Sequence, residues 1–198
     1  MNYRKVNNIV GWITGGIALF VYLKTMEPTV SFWDCGEFLS CAYKLEVGHS
    51  PGAPFFMLLQ RIFALFSGGA ATTGGPSVSD LGQVGAATMI NALSAIMSAL
   101  SILFLFWMIT YFGRKILVPA NTEPDNNQTV LIMGAGLVGA LACTFSDTFW
   151  FSAVEAEVYA TSSFFTAVLA CASFFLISLL CRNEKDDNFI CDKFLSIL

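Results

Sequence analysis

The chain has 198 residues, of which 56% are hydrophobic and 12% are charged. Its mean hydropathy is +0.67, and a soluble domain carries about 25% charged residues, so the composition indicates an integral membrane protein. A net charge of -4 leaves no basic surface for nucleic acid. The same figures exclude a disordered chain and a small secreted scaffold held by disulfides. The length suits about four membrane spans.

Four apolar segments predict an all-α polytopic membrane protein. The expected transmembrane helices lie at about residues 6–23, 84–112, 129–145 and 158–181. The first follows Arg4 and Lys5 without a small-residue cleavage site after it, so we interpret it as an uncleaved anchor and not a signal peptide. An outer loop is expected at residues 24–83. It should contain two interfacial helices too short to span the membrane, at about residues 32–46 and 54–66.

The distribution of lysine and arginine predicts the orientation in the membrane. With the N-terminus in the cytoplasm, the outer loop carries only Lys24, Lys44 and Arg61. The cytoplasmic side then holds Arg4, Lys5, Arg114, Lys115, Arg182, Lys185 and Lys193. The positive-inside rule favours this arrangement, so the outer loop and the connection at residues 146–157 should be extracytoplasmic, on a multi-pass protein of the cytoplasmic membrane. The glycosylation sequon at Asn127 then faces the cytoplasm.

The end of the sequence indicates a longer protein. A polar segment at residues 182–193 is followed by an apolar run at residues 194–198, which stops after a few residues. We therefore interpret residues 1–198 as the N-terminal membrane domain of a larger chain. The six cysteines form no CxxC pair and have no histidine at metal-ligand spacing, so we interpret them as structural.

Carboxylates cluster in the first outer segment, which reads SFWDCGEF at residues 31–38. Ser31 followed by Asp34 is a capping-box pattern and predicts that a helix begins here. On that helix Asp34, Glu37, Cys41 and Lys44 share one face. The opposite face is apolar and suited to the bilayer surface, with Phe38, Leu39, Ala42 and Tyr43. A helix cap with solvated charges explains this pattern as well as a functional site does.

A turn follows this predicted helix, with the sequence GHSPGAP at residues 48–54. Its prolines and glycines favour a turn, and Pro54 is well placed to open the next short helix. His49, the only histidine in the sequence, lies on this turn. Its position is compatible with a simple turn residue or with a residue of a site.

The connection between the third and fourth spans is expected to be tight and carries three acids, Asp147, Glu155 and Glu157. Acids at membrane depth are costly unless they face water or partners. An acidic loop with an aromatic belt of Trp150 and Tyr159 is the neutral explanation. The predicted topology places this connection on the same side as the first outer segment, which favours a common site.

These residue types suit sugar transfer at a membrane surface. A carboxylate can take the proton of an acceptor hydroxyl as it attacks an activated sugar carbon. A lipid-phosphate leaving group needs cationic or hydrogen-bonding neighbours, for which the candidates are His49, Lys44 and Arg61. The aromatic stretch at residues 55–59 could form a groove for a polyprenyl tail. The carboxylates are also suited to a divalent cation, although no ligand spacing demands one.

Three motifs resemble one membrane family, namely TVSFWDCGEF at residues 29–38, GHSPGAP at 48–54 and FWFSAVEAEVY at 149–159. It is the bacterial domain-of-unknown-function family related to the eukaryotic transmembrane protein 260, a protein O-mannosyltransferase. The family is placed in the GT-C superfamily of glycosyltransferases, which use polyprenyl-phosphate-linked sugars. The resemblance implies a GT-C-like membrane part whose catalytic acid lies in the first extracytoplasmic loop, on a helix along the membrane.

The resemblance also implies roles for individual residues. Asp34 matches the aspartate of the D-x-G-E pattern and is the expected general base, with Glu37 as the second catalytic acid. His49 matches the histidine of the H-x-P-G turn. The residues expected to line the sugar or acceptor side are Glu155, Glu157 and Tyr159.

The expected function is an inverting glycosyltransferase that moves a sugar, with mannose as the candidate, from a polyprenyl-phosphate carrier to a protein or glycan acceptor. Without the rest of its chain, the segment would lack the complete lipid cavity. One alternative is an ion or solute transporter, although Asn91 is the only strongly polar group in the span cores. Another is a non-enzymatic assembly protein that packs through Gly11, Gly15 and residues 134–140. Those small residues should serve helix packing under each hypothesis.

Overall fold

The computed structural model describes residues 2–50, 52–67, 79–119 and 122–183. The apolar run predicted at residues 194–198 and most of the polar tail lie outside these residues. The helices are α1 (Tyr3–Thr25), α2 (Cys35–Lys44), α3 (Pro54–Leu65), α4 (Ser79–Leu117), α5 (Asn126–Thr144), α6 (Asp147–Val154) and α7 (Val158–Asn183). The described residues contain no strand, which confirms the all-α prediction.

Among the described helices, α1, α5 and the Gly85–Leu117 part of α4 are each long and apolar enough to cross a membrane. Helix α7 meets the same criterion only together with α6, and the two are bent by 110° where they join. This gives three candidate spans, or four if the bent pair counts as one, and confirms a polytopic membrane protein. Helix α3 has 12 residues and is too short to span.

Helix α4 is the centre of the bundle, because each of the other helices packs against it. Its buried side chains Ala99, Ile102 and Phe106 form one hydrophobic core with Tyr22 of α1 and Ile132 of α5. The contact between α1 and α4 is close because glycine leaves room for it. A Cβ at Gly11 would lie 2.6 Å from the indole nitrogen of Trp107.

Small residues pack helices together at some of the predicted positions and not at others. Gly11 faces α4 as expected, and a Cβ at Gly136 of α5 would lie 2.7 Å from Thr110 Cγ2 on α4. Gly134 of the same helix has no atom within 4 Å of such a Cβ, so the packing prediction is wrong there. The difference is one of helix face, since residues 134 and 136 point about 200° apart around an α-helix.

The two ends of the bundle differ in charge. At one end the start of α1 meets the end of α4, where the Arg114 guanidinium lies 5.1 Å from the centroid of the Tyr3 ring. The start of α5 joins them, because Gln128 Nε2 donates to the Leu117 carbonyl at 3.0 Å. The basic residues at this end are Arg4, Lys5, Arg114 and Lys115. The acidic motifs lie at the opposite end, with α2, α3, α6 and the start of α7.

The first outer segment is fastened to the bundle through its backbone. Asn91 of α4 is fully buried, and its Nδ2 donates to the carbonyls of Glu27 at 2.7 Å and Thr29 at 3.0 Å. The Glu27 N–H in turn donates to the Val154 carbonyl at the end of α6, at 2.9 Å. The polar residue in the span core therefore positions the segment that leads to Asp34.

The close packing of α5 on α4 can be tested with two glycines of one helix. Gly136→Ala should lower the melting temperature in detergent, because the new methyl group would lie within 3 Å of Thr110 and Phe106 side-chain atoms. Overpacking of this kind costs about 1–3 kcal/mol. Gly134→Ala is the control, since its methyl group meets open space and can only gain the higher helix propensity of alanine. Equal melting temperatures for the two variants would contradict this packing.

Candidate functional site

Helix α2 begins at Cys35, with Asp34 at its N-cap position. The Asp34 side chain makes no capping hydrogen bond, so the predicted capping box of Ser31 and Asp34 is wrong. Trp33 explains the difference. Its φ of 62° lies in the left-handed region, which is incompatible with a right-handed helix, so the helix begins only after this residue. The exposed Asp34 carboxylate is therefore not used to cap the helix.

The apolar face of α2 packs against protein and not, as predicted, against the bilayer. Leu39 and Ala42 are 6% and 0% exposed. They belong to a core cluster with residues of α3, α4 and the α6–α7 bend, namely Ala64, Ala86, Ala87, Ile90 and Ala156. Small side chains predominate in this cluster and let the helices approach closely. Helix α2 is therefore held in place by the bundle itself.

Cys35 connects α2 to the second outer motif. It is fully buried, and the backbone of Ala156 lies within hydrogen-bonding distance of its thiol. Burial raises the pKa of the Cys35 thiol, while hydrogen bonds with the backbone of Ser31 and Ala156 oppose this rise. The start of α2 is thereby seated in the bend between α6 and α7, which brings the two acidic motifs together.

Glu37 and His49 form a close pair across the turn that follows α2. The backbone N–H of His49 donates to Glu37 Oε1 at 2.5 Å, and His49 Nδ1 lies 2.8 Å from Glu37 Oε2. These hydrogen bonds lower the pKa of Glu37. The side-chain hydrogen bond and the charge of Glu37 raise the pKa of His49, with a smaller contribution from Asp34. Gly48 permits this approach, since a Cβ there would lie 3.0 Å from Glu37 Oε1.

A pocket of about 230 Å³ joins the two outer motifs. Its polar lining residues are Asp34, Glu37, His49, Glu157 and Tyr159. The remaining wall comes from Phe38 of α2, the turn before α3, Met57 of α3 and Val158 at the start of α7. The structure therefore brings five of the eight residues expected at the site into one pocket.

Glu157 lies in the bend between α6 and α7, where its N–H donates to the Glu155 carbonyl at 2.9 Å. Partial burial raises the pKa of Glu157, and the nearby charges of Glu155 and Asp34 raise it further. Glu157 therefore holds a proton at higher pH than an ordinary glutamate. Glu155 is half-buried beside it and is not among the residues that line the pocket.

Two expected cationic residues lie elsewhere. Lys44 lines a separate pocket of about 190 Å³ between α2 and α4. Arg61 donates to the backbone carbonyl of Tyr43 and stacks 5.8 Å from the centroid of its ring. Of the three cationic candidates, His49 is the one that lines the acidic pocket.

An apolar groove of about 340 Å³ adjoins the acidic pocket, and the two share Gly52, Ala53 and Val158. One wall comes from α3 with Phe55 and Phe56, within the stretch where the sequence predicts a groove. The other wall comes from α7, with Thr161, Ser162 and Phe165. The sequence analysis missed this second wall, because nothing in the sequence pairs α3 with α7.

The connection before Glu157 is a helix, α6, and not the tight connection that was predicted. Its Trp150 packs edge-on against Tyr22 of α1 with ring centroids 5.9 Å apart, and it contributes to the core. Helix α6 has eight residues and too few turns for a clear periodic pattern.

Asp34, Glu37 and His49 each offer a ligand atom within 4.8 Å of the others, which is close enough for one divalent cation. Two carboxylates with one imidazole suit a transition metal such as Mn²⁺ better than Mg²⁺. In the structure Glu37 and His49 are hydrogen-bonded to each other. A cation bound through Nδ1 would have to replace that bond.

The pKa of His49 provides a direct test of the pair. Glu37→Gln should lower it toward the ordinary value of 6.5, because the hydrogen bond and charge of Glu37 are the main causes of its rise. Asp34→Asn should lower it less, and Glu46→Gln, which removes an exposed acid nearby, should leave it unchanged. The imidazole Cε1–H resonance can be followed by NMR against pH in the full protein and assigned by its loss in His49→Gln. A pKa that is equal in wild type and Glu37→Gln would refute the pair.

The sign of the pH dependence follows from these shifts. The raised pKa of His49 means that the pair stabilises the fold below about pH 6.5 and that this contribution disappears as the pH rises through the higher pKa of the folded state. The lowered pKa of Glu37 gives a contribution above its ordinary value of 4.5 that disappears as the pH falls through the lower folded-state pKa. The pair is therefore strongest between the folded-state pKa of Glu37 and the folded-state pKa of His49.

Comparison with known proteins gives a consistent assignment. A family model described as the N-terminal domain of protein O-mannosyl-transferase TMEM260 matches residues 34–188. A protein O-mannosyl-transferase tmem260 of Dictyostelium discoideum is 24% identical over 149 residues, which cover 75% of this chain and 15% of that relative. No solved structure matches the chain significantly. The family match begins at Asp34, within the first outer motif, and includes the whole of the second, so the chain belongs to the family of the TMEM260 N-terminal domain.

Proposed function

We propose that the chain is the catalytic membrane part of a glycosyltransferase. It would move a sugar, with mannose as the candidate, from a polyprenyl-phosphate carrier to a hydroxyl of a protein or glycan. The observation that carries this proposal is the continuity of an acidic pocket with an apolar groove through shared wall residues. A polyprenyl-phosphate donor also has two such parts, because its sugar-phosphate head is polar and its hydrocarbon tail is apolar.

Asp34 is the proposed general base. Its carboxylate is exposed at the pocket and makes no capping bond. As the acceptor oxygen attacks the anomeric carbon, Asp34 takes the hydroxyl proton. The bond from that carbon to the phosphate oxygen breaks, and the polyprenyl phosphate leaves with the bonding electrons. Attack from the side opposite the phosphate inverts the configuration of the sugar.

His49 is the proposed contact for the leaving phosphate. Glu37 raises its pKa and so favours the protonated imidazolium, which can donate a charge-assisted hydrogen bond to a phosphate oxygen. Lys44 and Arg61 are both removed from this pocket in the structure. We therefore assign neither of them to the phosphate.

The second outer motif is proposed to hold the sugar or the acceptor. Glu157 lines the pocket, and its raised pKa favours a protonated carboxyl that can donate a hydrogen bond to a sugar oxygen. Tyr159 is 65% exposed at the same pocket and offers an aromatic face and a hydroxyl. Glu155 would act through its charge on Glu157 and not by direct contact.

The charge distribution supports an extracytoplasmic site. The basic residues at the termini of α1 and α4 lie at the end of the bundle remote from the pocket. Basic residues favour the cytoplasmic side, so the pocket would face the opposite side of the cytoplasmic membrane. The transporter alternative is not favoured, because Asn91, the one strongly polar group that the sequence places in the span cores, is buried and its Nδ2 is bound to backbone carbonyls.

The role of Asp34 can be tested in membranes that contain the complete protein, with radiolabelled polyprenyl-phosphate mannose as donor. Asp34→Asn should reduce transfer by about 10²–10⁴-fold, the usual contribution of a general base. Glu46→Gln is the matched control, because it removes an exposed carboxylate that does not line the pocket. Protein level and membrane insertion are compared in parallel.

Transfer retained by Asp34→Asn would remove this residue from the role of base. If wild type and variant are both inactive with mannose, the same pair is tested with polyprenyl-phosphate glucose. Inactivity with both donors would contradict the proposed donor class.

The groove can be tested with two exposed serines of α7. Ser162 lines the groove, so Ser162→Trp should occupy space required by the tail and raise the KM for a long polyprenyl donor about tenfold. A donor with a short, water-soluble tail should be much less affected. Ser173→Trp adds the same bulk three turns further along α7, at an exposed position outside the groove. Equal effects on long and short donors would contradict the assignment of the groove to the tail.

A further inference from the structure

Both carboxylate oxygens of Glu37 are occupied by the same residue. Oε1 accepts the backbone N–H of His49 and Oε2 contacts its ring at Nδ1. Each oxygen can accept a further hydrogen bond, but both of the bonds that the carboxylate makes go to one neighbour, on its backbone and on its ring. The geometry of Glu37 is better suited to holding a neighbour in position.

The segment that Glu37 holds joins α2 to α3. We name its described residues, 45–50 and 52–53, the strap. It leaves α2 at Leu45, whose φ of 58° is left-handed, and Gly52 near its other end has a φ of 72°. Leu45, Val47 and His49 are all exposed. Within the strap, Gly48 lies close to Glu37, so that a side chain there would be tight against the carboxylate.

We propose that Glu37 is a positioning residue that fastens the strap to α2 and so holds His49 in the wall of the acidic pocket. Two hydrogen bonds fix both the backbone and the ring of His49. The ring is oriented through Nδ1, which leaves the opposite nitrogen, Nε2, on the far edge of the ring. This inference rests on the proposed function in one respect, because there His49 contacts the donor phosphate, and Nε2 is the ring nitrogen left for that contact.

Cys41 gives a readout that does not depend on activity. It lies on α2 beneath the strap, with its Sγ 3.9 Å from the Cβ position of Gly48, and it is 7% exposed. Its carbonyl also accepts the Glu46 N–H at 2.9 Å. Cys35 is the internal control, because it is buried at the α6–α7 bend and not under the strap. If the strap moves away from α2, Cys41 should become exposed while Cys35 stays buried.

The experiment is alkylation of the complete protein in detergent at fixed pH, with each cysteine followed by mass spectrometry. Glu37→Gln should raise the alkylation rate of Cys41 about threefold, the size of effect expected when an exposed, solvent-screened ion pair is lost. The rate at Cys35 should not change. Ser40→Ala is the control variant, since it removes an exposed hydroxyl of the same helix that binds only backbone carbonyls.

A second measurement connects the strap to transfer. If Glu37 acts through His49, the double variant Glu37→Gln/His49→Gln should lose no more activity than His49→Gln alone. The upper pH limit of transfer should also fall in Glu37→Gln. The titratable groups that line the pocket with His49 are Asp34, Glu37, Glu157 and Tyr159, so the shift is compared with Glu46→Gln, which removes an exposed carboxylate outside the pocket and should leave the pH limit unchanged.

The outcomes are separable. An unchanged Cys41 rate in Glu37→Gln would overturn the positioning role, whether or not the protein transfers sugar. Additive losses in the double variant would overturn it in favour of an independent catalytic role for Glu37. If the wild type transfers no sugar but Cys41 responds as expected, the strap is supported and the proposed function fails.

Discussion

The site depends on one buried amide. Asn91 lies inside an apolar bundle, and its Nδ2 donates to two backbone carbonyls of the first outer segment. A buried carbonyl without a partner costs roughly 1–3 kcal/mol, so the segment is held where Asn91 can reach it. Asp34 follows Thr29 by only five positions, which limits the distance between their Cα atoms to about 18 Å. The position of the proposed base is therefore set by a helix that does not itself line the pocket.

The bend between α6 and α7 is the second constraint. A straight helix would carry Glu155 and Glu157 on opposite sides of its axis, whereas the 110° bend gathers this short stretch against the start of α2. The contact is made by Cys35 and Ala156, both fully buried. Small side chains matter here because a larger residue at either position would separate the two acidic motifs. This apolar packing partly buries Glu157 and brings it near Asp34 and Glu155. Both effects raise the pKa of Glu157.

The sequence predicts the helical fold because hydropathy reports directly on long apolar helices, and the family motifs identify most of the pocket. It predicts the environment of α2 poorly. An apolar face looks the same whether it meets lipid or protein, so Leu39 was assigned to the bilayer although it packs on the bundle. Helical spacing also specifies a face and not a distance, which is why Lys44 was expected near the acids although it lines a different pocket. The groove wall on α7 depends on tertiary contacts alone.

The polar pair of the pocket is weak while it remains in water. The side chains of His49 and Glu37 are 54% and 36% exposed, and exposed ion pairs contribute little because solvent screens them. Under the proposed function, a lipid tail in the adjoining groove would exclude water from this end of the pocket. Coulomb interactions strengthen as the local dielectric falls, so occupancy of the groove would tighten the strap and the hold on the phosphate together. In this scheme the tail contributes to catalysis as well as to binding, although it is remote from the reacting carbon.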